Sequence, residues 1–137
     1  MRAWILLVAV GIITGCTGLP KNVVPVDDFD GERYLGTWYE IARLDHRFER
    51  GLRNVTATYS PRNKGGPFYA TYALFELDKD DYQYAFVSGH STKYLWLLSR
   101  TPEVSESLID KFKAQSKALG FDTSDLIMVN HDPKGAD

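Results

Sequence analysis

Cysteine and histidine are scarce in this chain of 137 residues, which has one cysteine and three histidines. A single cysteine, Cys16, excludes a disulfide bond within the chain. The three histidines, His46, His90 and His131, do not have the spacing of a zinc site. We therefore expect neither a metal nor any other cofactor.

Sequence motifs of the common enzyme classes are also missing. The chain has no Gly-x-Ser-x-Gly nucleophile motif, no phosphate-binding loop and no dinucleotide-binding glycine pattern. The segment DDFDG, residues 27–31, lacks the ligand spacing of a calcium loop. We predict that the protein is not an enzyme and has no catalytic residues.

Neither sign of charge is in large excess, since the formal net charge is −2. Basic clusters with interleaved aromatic residues are absent, so we expect no nucleic-acid partner. A hydrophobic content of 44% and an aromatic content of 13% instead suit one globular domain with a core.

The one long apolar run, WILLVAVGII at residues 4–13, is too short to span a bilayer comfortably and is typical of a signal peptide. It ends in Ile-Thr-Gly-Cys, residues 13–16, which resembles the bacterial lipobox. That resemblance implies removal of a lipoprotein signal peptide, residues 1–15, and acylation of Cys16, which would hold the protein on a membrane. The alternative is an ordinary secretory signal with an unmodified Cys16. Because Thr17 and not Asp follows, the lipoprotein sorting rule indicates the cell outer membrane, with the domain facing the periplasm.

Alternating patterns rich in aromatic and β-branched residues predict five strands, at residues 36–43, 53–60, 68–78, 82–89 and 93–100. Short turns after the third and fourth indicate an antiparallel meander. Thr101-Pro102 predicts the start of a helix that stops at Gly120, and residues 126–129 predict a short final strand. The fold class is therefore all-β, mostly antiparallel, plus one C-terminal α-helix. Residues 16–30 are interpreted as a tether, 31–130 as the domain and 131–137 as a tail.

Three motifs resemble those of the lipocalins, and most closely the bacterial outer-membrane lipoprotein lipocalins. They are Gly36-Thr37-Trp38 within YLGTWYEIARLDHRFERGL, Asp81-Tyr82 between two strands, and Arg100 in YLWLLSRTP. The resemblance implies a β-barrel in which Trp38 closes one end and Arg100 stacks across it. Such a guanidinium–indole pair is worth about 1–2 kcal/mol when desolvated. Gly36 would let the backbone enter the first strand where a side chain would clash.

The chain departs from the family between its second and third predicted strands. A lipocalin barrel has eight strands, A to H, and the five predicted strands match A, B, F, G and H. Only PRNKGGP, residues 61–67, stands where the family has C, D and E. We therefore predict an incomplete lipocalin β-barrel and favour an open half-barrel with the order B-A-H-G-F. The alternatives are a strand-swapped homodimer and a rearranged small barrel without room for a ligand.

The resemblance implies a binding protein for fatty acids, such as palmitate, or lysophospholipids, in storage or transport. Alternation of side chains along each strand predicts the residues that line the ligand: Ala57, Tyr59, Tyr84, Phe86 and Trp96. The alternative is that these side chains fill a core with no cavity. A second functional hypothesis is a lipoprotein without a ligand that acts by edge-strand association, or a defective truncated lipocalin.

A basic loop follows the first predicted strand and is expected to form a lip over the open mouth of the barrel. Its candidate residues are Arg47, Arg50 and Arg53. Such a lip would attract a carboxylate or a phosphate. The alternative is a solvated loop whose arginines pair with its own acidic residues.

Overall fold

The computed structural model describes residues 18–45, 51–60 and 72–132 and consists mainly of antiparallel strands. The strands are β1 (Gly36–Leu44), β2 (Thr56–Tyr59), β3 (Ala73–Leu77), β4 (Tyr84–Ser88), β5 (Leu95–Ser99) and β6 (Leu126–Met128). The helices are α1 (Gly31–Tyr34), α2 (Glu106–Ala118) and a 3-10 helix (Thr123–Asp125). The predicted fold class is confirmed. Over the described ranges, no helix has the length and apolar character needed to cross a membrane.

All six strands belong to one sheet with the order β2-β1-β5-β4-β3, and β6 pairs with the end of β1. This is the predicted order B-A-H-G-F. Among the described residues, β2 and β3 lie at opposite ends of the sheet and do not pair with each other. The sheet is therefore not closed, as expected for an incomplete barrel.

The two faces of the sheet carry two separate apolar clusters. One face, which we call the helix face, packs Phe86, Leu95 and Leu97 against Phe112 of α2. The opposite face, which we call the tryptophan face, carries Trp38 and Trp96. Side chains alternate between faces along a strand, so β1, β3, β4 and β5 each contribute to both clusters.

A β-bulge in β1 changes which residues point to each face. Glu40 lies opposite Leu98 and Ala42 lies opposite Leu97, so Ile41 is an extra residue in β1. Both Ile41 and Ala42 therefore join the helix-face cluster. Beyond the bulge, Arg43 lies opposite Trp96 and shares the tryptophan face with Glu40.

Helix α2 starts later than the sequence predicts. Its N-cap is Ser105, whose hydroxyl accepts a hydrogen bond from the Leu108 N–H at 3.2 Å. The predicted start at Thr101-Pro102 is wrong because Thr101 forms a local turn, with its hydroxyl donating to the Glu103 carbonyl at 2.7 Å. The predicted stop is correct: Gly120 has a φ of +100°, which favours glycine.

Residues 19–30, which we call the strap, pack against the sheet. Val23 is buried in the helix-face cluster, whereas Val26 packs on the tryptophan-face cluster. The Val26 N–H donates to the Leu74 carbonyl of β3 at 2.8 Å. The strap therefore crosses the edge of β3, and this part of the predicted tether 16–30 is attached to the domain.

The start of the predicted tail is also attached. His131 Nε2 lies 2.6 Å from the Glu40 carbonyl oxygen, and the Asp132 N–H donates to Asn54 Oδ1 at 2.9 Å. Residues 130–132 thus connect β1 to the segment before β2, while residues 133–137 lie outside the described ranges.

Candidate ligand-binding site

Trp38 closes one end of the tryptophan face. Its side chain is fully buried, and its Nε1–H donates to the Tyr34 carbonyl at 2.8 Å. The Arg100 guanidinium carbon lies 3.9 Å from the centroid of the Trp38 ring. The structure thus brings together the two residues that the family motifs pair.

Arg100 also binds the backbone that leads into β1. It donates to the carbonyls of Arg33 and Leu35, both at 2.8 Å, and of Thr37 at 3.1 Å. Burial lowers the pKa of the Arg100 guanidinium from its usual value. Gly36 has a φ of +100°, and a Cβ there would lie 3.3 Å from Arg100 Nη1. The positive φ therefore favours a glycine here, and its missing Cβ also leaves room for the close approach of the guanidinium.

The second motif contributes through its tyrosine. Tyr82 is buried, and its hydroxyl accepts a hydrogen bond from the Asp30 N–H at 3.0 Å. The guanidinium carbon of Arg33 lies 4.2 Å from the centroid of the Tyr82 ring. Asp81, by contrast, is exposed, and its N–H donates to Asp78 Oδ1 at 3.4 Å. Tyr82 therefore belongs to the closed end, while Asp81 shapes the turn before β4.

Sequence reasoning missed the contribution of α1 to this closed end. Tyr34 is buried with its ring centroid 4.8 Å from that of Trp38. Burial raises the pKa of the Tyr34 hydroxyl well above its usual value, and the neighbouring Tyr59 adds to the effect. The missed signal is Asp30, whose side chain caps α1 by accepting from the Glu32 and Arg33 N–H groups.

Three of the five predicted ligand-lining residues lie on the tryptophan face. Trp96 packs in the same cluster as Trp38. Ala57 lies directly opposite Trp38 in the β1–β2 pair, and the Tyr59 ring centroid lies 4.7 Å from that of Tyr34. These residues therefore form one surface with the closed end.

The prediction that Tyr84 and Phe86 face the ligand is wrong. Phe86 packs against Phe112 with the ring centroids 5.0 Å apart, and the Tyr84 hydroxyl accepts from Lys111 Nζ at 2.9 Å. Both therefore lie on the helix face. The prediction assigned the large aromatic residues of β4 to the pocket. Helix α2 covers the opposite face of the sheet, and these residues form the apolar core between α2 and the sheet.

A buried ion pair on the tryptophan face was also missed. Arg43 Nη1 lies 3.4 Å from Glu40 Oε1, and Arg43 Nη2 donates to the Leu52 carbonyl at 3.5 Å. Regular alternation places residues three apart on opposite faces of a strand, so only the bulge brings these two side chains together, and no sequence pattern predicted it.

Of the remaining predicted site residues, the lipidation site and the basic lip, only Arg53 lies within the described ranges. Arg53 is exposed, whereas Cys16, Arg47 and Arg50 lie outside the described residues. Over the ranges that the structure does describe, no three His, Cys, Asp or Glu side chains are grouped as metal ligands.

An antiparallel sheet in meander order with one packed helix, and an apolar face closed at one end by a tryptophan, is the architecture of small antiparallel β-barrel proteins. Solved structures show the same fold. Insecticyanin from the tobacco hornworm Manduca sexta superposes with a TM-score of 0.59 at 19% identity, over 84% of this chain and 87% of that chain. Lobster apocrustacyanin A1 superposes with a TM-score of 0.55 at 18% identity, over 84% and 94%.

The chain belongs to the lipocalin-like family. The model of the lipocalin-like domain matches residues 29–67 and 61–131. The outer membrane lipoprotein Blc of Vibrio cholerae is 45% identical over 168 aligned positions, covering 94% of this chain and 98% of the relative. The protein of the same name from Escherichia coli is 40% identical, covering 80% of this chain and 84% of the relative. The family expectation is confirmed.

Proposed function

We propose that the protein is an outer-membrane lipoprotein that binds fatty acids or lysophospholipids for storage or transport in the cell envelope. The observation that carries this proposal is the apolar tryptophan face, closed at one end by Trp38 and Arg100. The names of the bacterial relatives support the location. In this proposal acylated Cys16 attaches the chain to the membrane, the domain faces the periplasm, and there is no catalytic step.

A shortened barrel is part of the proposal. The family model matches in two segments that overlap at residues 61–67, and the alignment with the Vibrio relative has more positions, 168, than the 137 residues of this chain. Both observations support the absence of strands C, D and E between β2 and β3. The tryptophan face would then lack the opposite wall of a barrel, unless a second chain supplies that wall as a strand-swapped homodimer.

The expected affinity depends on that second side. Complete burial of a 16-carbon chain contributes about 11 kcal/mol, at about 0.8 kcal/mol per methylene, and an open face buries about half. An open monomer is therefore expected to bind no tighter than about 0.1 mM, whereas a covered site in a dimer reaches micromolar or better after the cost of association.

The test uses the chain without residues 1–15 and with Cys16→Ser, which retains every described residue. Light-scattering mass is measured together with titration of a fluorescent C18 fatty acid. Saturable binding of one per chain, or one per two chains, supports the proposal. A soluble species that does not bind would overturn ligand binding and favour edge-strand association, and aggregation would identify a defective truncated lipocalin.

A matched pair of exposed residues locates the bound probe. Tyr72 is 58% exposed, and its ring centroid lies 5.4 Å from that of Trp96 on the tryptophan face. Val24 is 76% exposed on the strap. Tyr72→Ser is expected to weaken binding several-fold and Val24→Ser to leave it unchanged. Equal effects would place the probe elsewhere.

A further inference from the structure

The strap has a definite direction relative to the sheet. Its Val26 N–H donates to the carbonyl of Leu74, the second residue of β3, at 2.8 Å. Further along the strap, the Asp30 N–H donates to the hydroxyl of Tyr82, which follows β3 and belongs to the closed end, at 3.0 Å. The strap therefore advances toward the closed end, in the same direction as β3.

The opposite end of the sheet, which we call the far end, is where three neighbouring strands begin or end. Ala73 of β3 pairs with Ser88 of β4, and Ser88 pairs with Leu95 of β5. Because the strap runs toward the closed end, the part of it that precedes Val26 lies toward the far end.

The proposed acyl anchor therefore joins the domain at the far end. The Val23 N–H donates to the Pro20 carbonyl at 3.0 Å, and this tight turn keeps Leu19 close to the first half of the strap. Leu19 itself packs on the helix-face cluster. Cys16 precedes Leu19 by three residues, and a chain of that length is shorter than β3, which has five. The anchor thus cannot reach around the sheet to the closed end.

Two exposed apolar side chains stand at matching positions near the far end. Val24 on the strap is 76% exposed, and Tyr72 before β3 is 58% exposed. Each precedes by two residues a partner in the hydrogen bond between Val26 and Leu74, and the two segments run in the same direction. The two side chains therefore lie at about the same height. An apolar and an aromatic side chain are the types that a bilayer interface stabilises.

The closed end carries a large excess of acidic residues. Residues 27–33 and 78–81, which surround it, include seven acidic residues and two basic ones, and Arg100 adds a third basic residue. The formal charge of this end is therefore −4. A membrane that contains anionic lipids would repel it.

The far end has no such excess. Lys21 on the strap and Lys93 in the turn between β4 and β5 are both exposed. They offset Asp45, which follows β1, and Asp125, which precedes β6 at the same end. An anionic membrane surface is therefore met at lower electrostatic cost by the far end than by the closed end.

We propose that the far end of the domain lies against the bilayer that holds the anchor, with Val24 and Tyr72 in the head-group region and the acidic closed end pointing away. A weak contact is enough, because a short tether keeps the domain at a high effective concentration. This inference rests on the acylation of Cys16 in the proposed function, and it adds which end of the domain meets the bilayer.

The test supplies the anchor chemically. The chain without residues 1–15 is coupled through Cys16 to a maleimide lipid in vesicles of phosphatidylethanolamine and phosphatidylglycerol. Val24→Trp places a reporter near the far end. Phe29→Trp is the matched control, since Phe29 is a 41% exposed apolar residue of the same strap and packs on Tyr34 of the closed end. Lipids brominated in the upper part of the acyl chain quench a tryptophan that they contact. Emission is compared with that of the unmodified coupled chain, whose two remaining tryptophans are buried.

The brominated lipids are expected to quench the emission added by Val24→Trp and to leave the emission added by Phe29→Trp unchanged. Equal quenching at the two positions, stronger quenching at Phe29, or no quenching at either would overturn the proposed orientation.

A second measurement needs no variant. A water-soluble reagent that acylates lysines is applied to the unmodified chain, once coupled to vesicles and once in solution, and each site is read by mass spectrometry. Lys93 at the far end is expected to react more slowly on the vesicle, while Lys79 at the closed end keeps its rate. An equal change at both lysines would overturn the orientation even if a tryptophan variant failed to fold.

These outcomes are separate from the test of lipid binding. Because coupling supplies the anchor, a far end that does not meet the vesicle overturns the orientation and leaves the fatty-acid titration as it stands. Acylation is tested by the mass of the mature protein extracted from cells. An unmodified Cys16 would overturn the anchor and the orientation together.

Discussion

Replacing Arg100 with methionine removes a guanidinium that binds three carbonyls at the entry to β1 and stacks on Trp38. The three hydrogen bonds, at 2.8, 2.8 and 3.1 Å, contribute about 1 kcal/mol each when solvent reaches part of the group. The cation–π contact adds about 1 kcal/mol, and methionine keeps much of the apolar packing. Arg100→Met is therefore expected to lower the free energy of unfolding by about 4 kcal/mol, and the melting temperature by more than about 10 °C.

The assay is urea unfolding followed by tryptophan fluorescence, with thermal unfolding by circular dichroism as a second measurement. Arg53→Met is the matched control because the side chain of Arg53 is exposed, and its effect should stay within about 0.5 kcal/mol. If the two variants lose the same stability, Arg100 does not hold the closed end together and the magnitude worked out from its contacts is wrong.

Two further predictions concern the closed end and the strap. Burial raises the pKa of Tyr34 in the folded state. The free energy of unfolding should therefore be independent of this group below about pH 10 and fall above it, because there only the unfolded chain releases the Tyr34 proton. In urea unfolding, the free energy of unfolding of Tyr34→Phe should fall less steeply above about pH 10 than that of Tyr72→Phe. Equal slopes would contradict the assignment of the effect to Tyr34. Val26→Pro removes the hydrogen bond to Leu74 at the edge of β3 and should promote association, measured by light scattering against exposed Val24→Pro. Unchanged mass in both variants would show that the strap does not protect that edge.

Strand order was predictable because neighbours in sequence pair across short turns and the family motifs supplied the rest. Trp38 and Arg100 could be paired before the structure because each stands in a recognisable motif at a strand end. Trp38 lies in β1 and Arg100 directly follows β5, which pairs with β1, so the contact depends only on that strand pair.

The faces were harder to predict than the order. Alternation shows which residues of a strand share a face. It does not show which of the two faces is covered by α2 and which is the candidate ligand face. Phe86 alternates correctly with Val87, yet it was assigned to the wrong face because the demand of α2 for a core was not considered. The bulge at Ile41 adds one residue to β1, so the residues after it point to the opposite face from the one that regular alternation predicts. Glu40 and Arg43 were therefore not identified as a pair.

The attachment of the strap limits how far the domain can travel. Leu19 already packs on the helix-face cluster, and it follows Cys16 by three residues. Three extended residues reach at most about 11 Å. With the acyl anchor proposed at Cys16, the domain would therefore stay within about 11 Å of the membrane surface. Lipids would then be exchanged directly with the bilayer that holds the anchor, and delivery to a distant membrane would first require the strap to detach from β3.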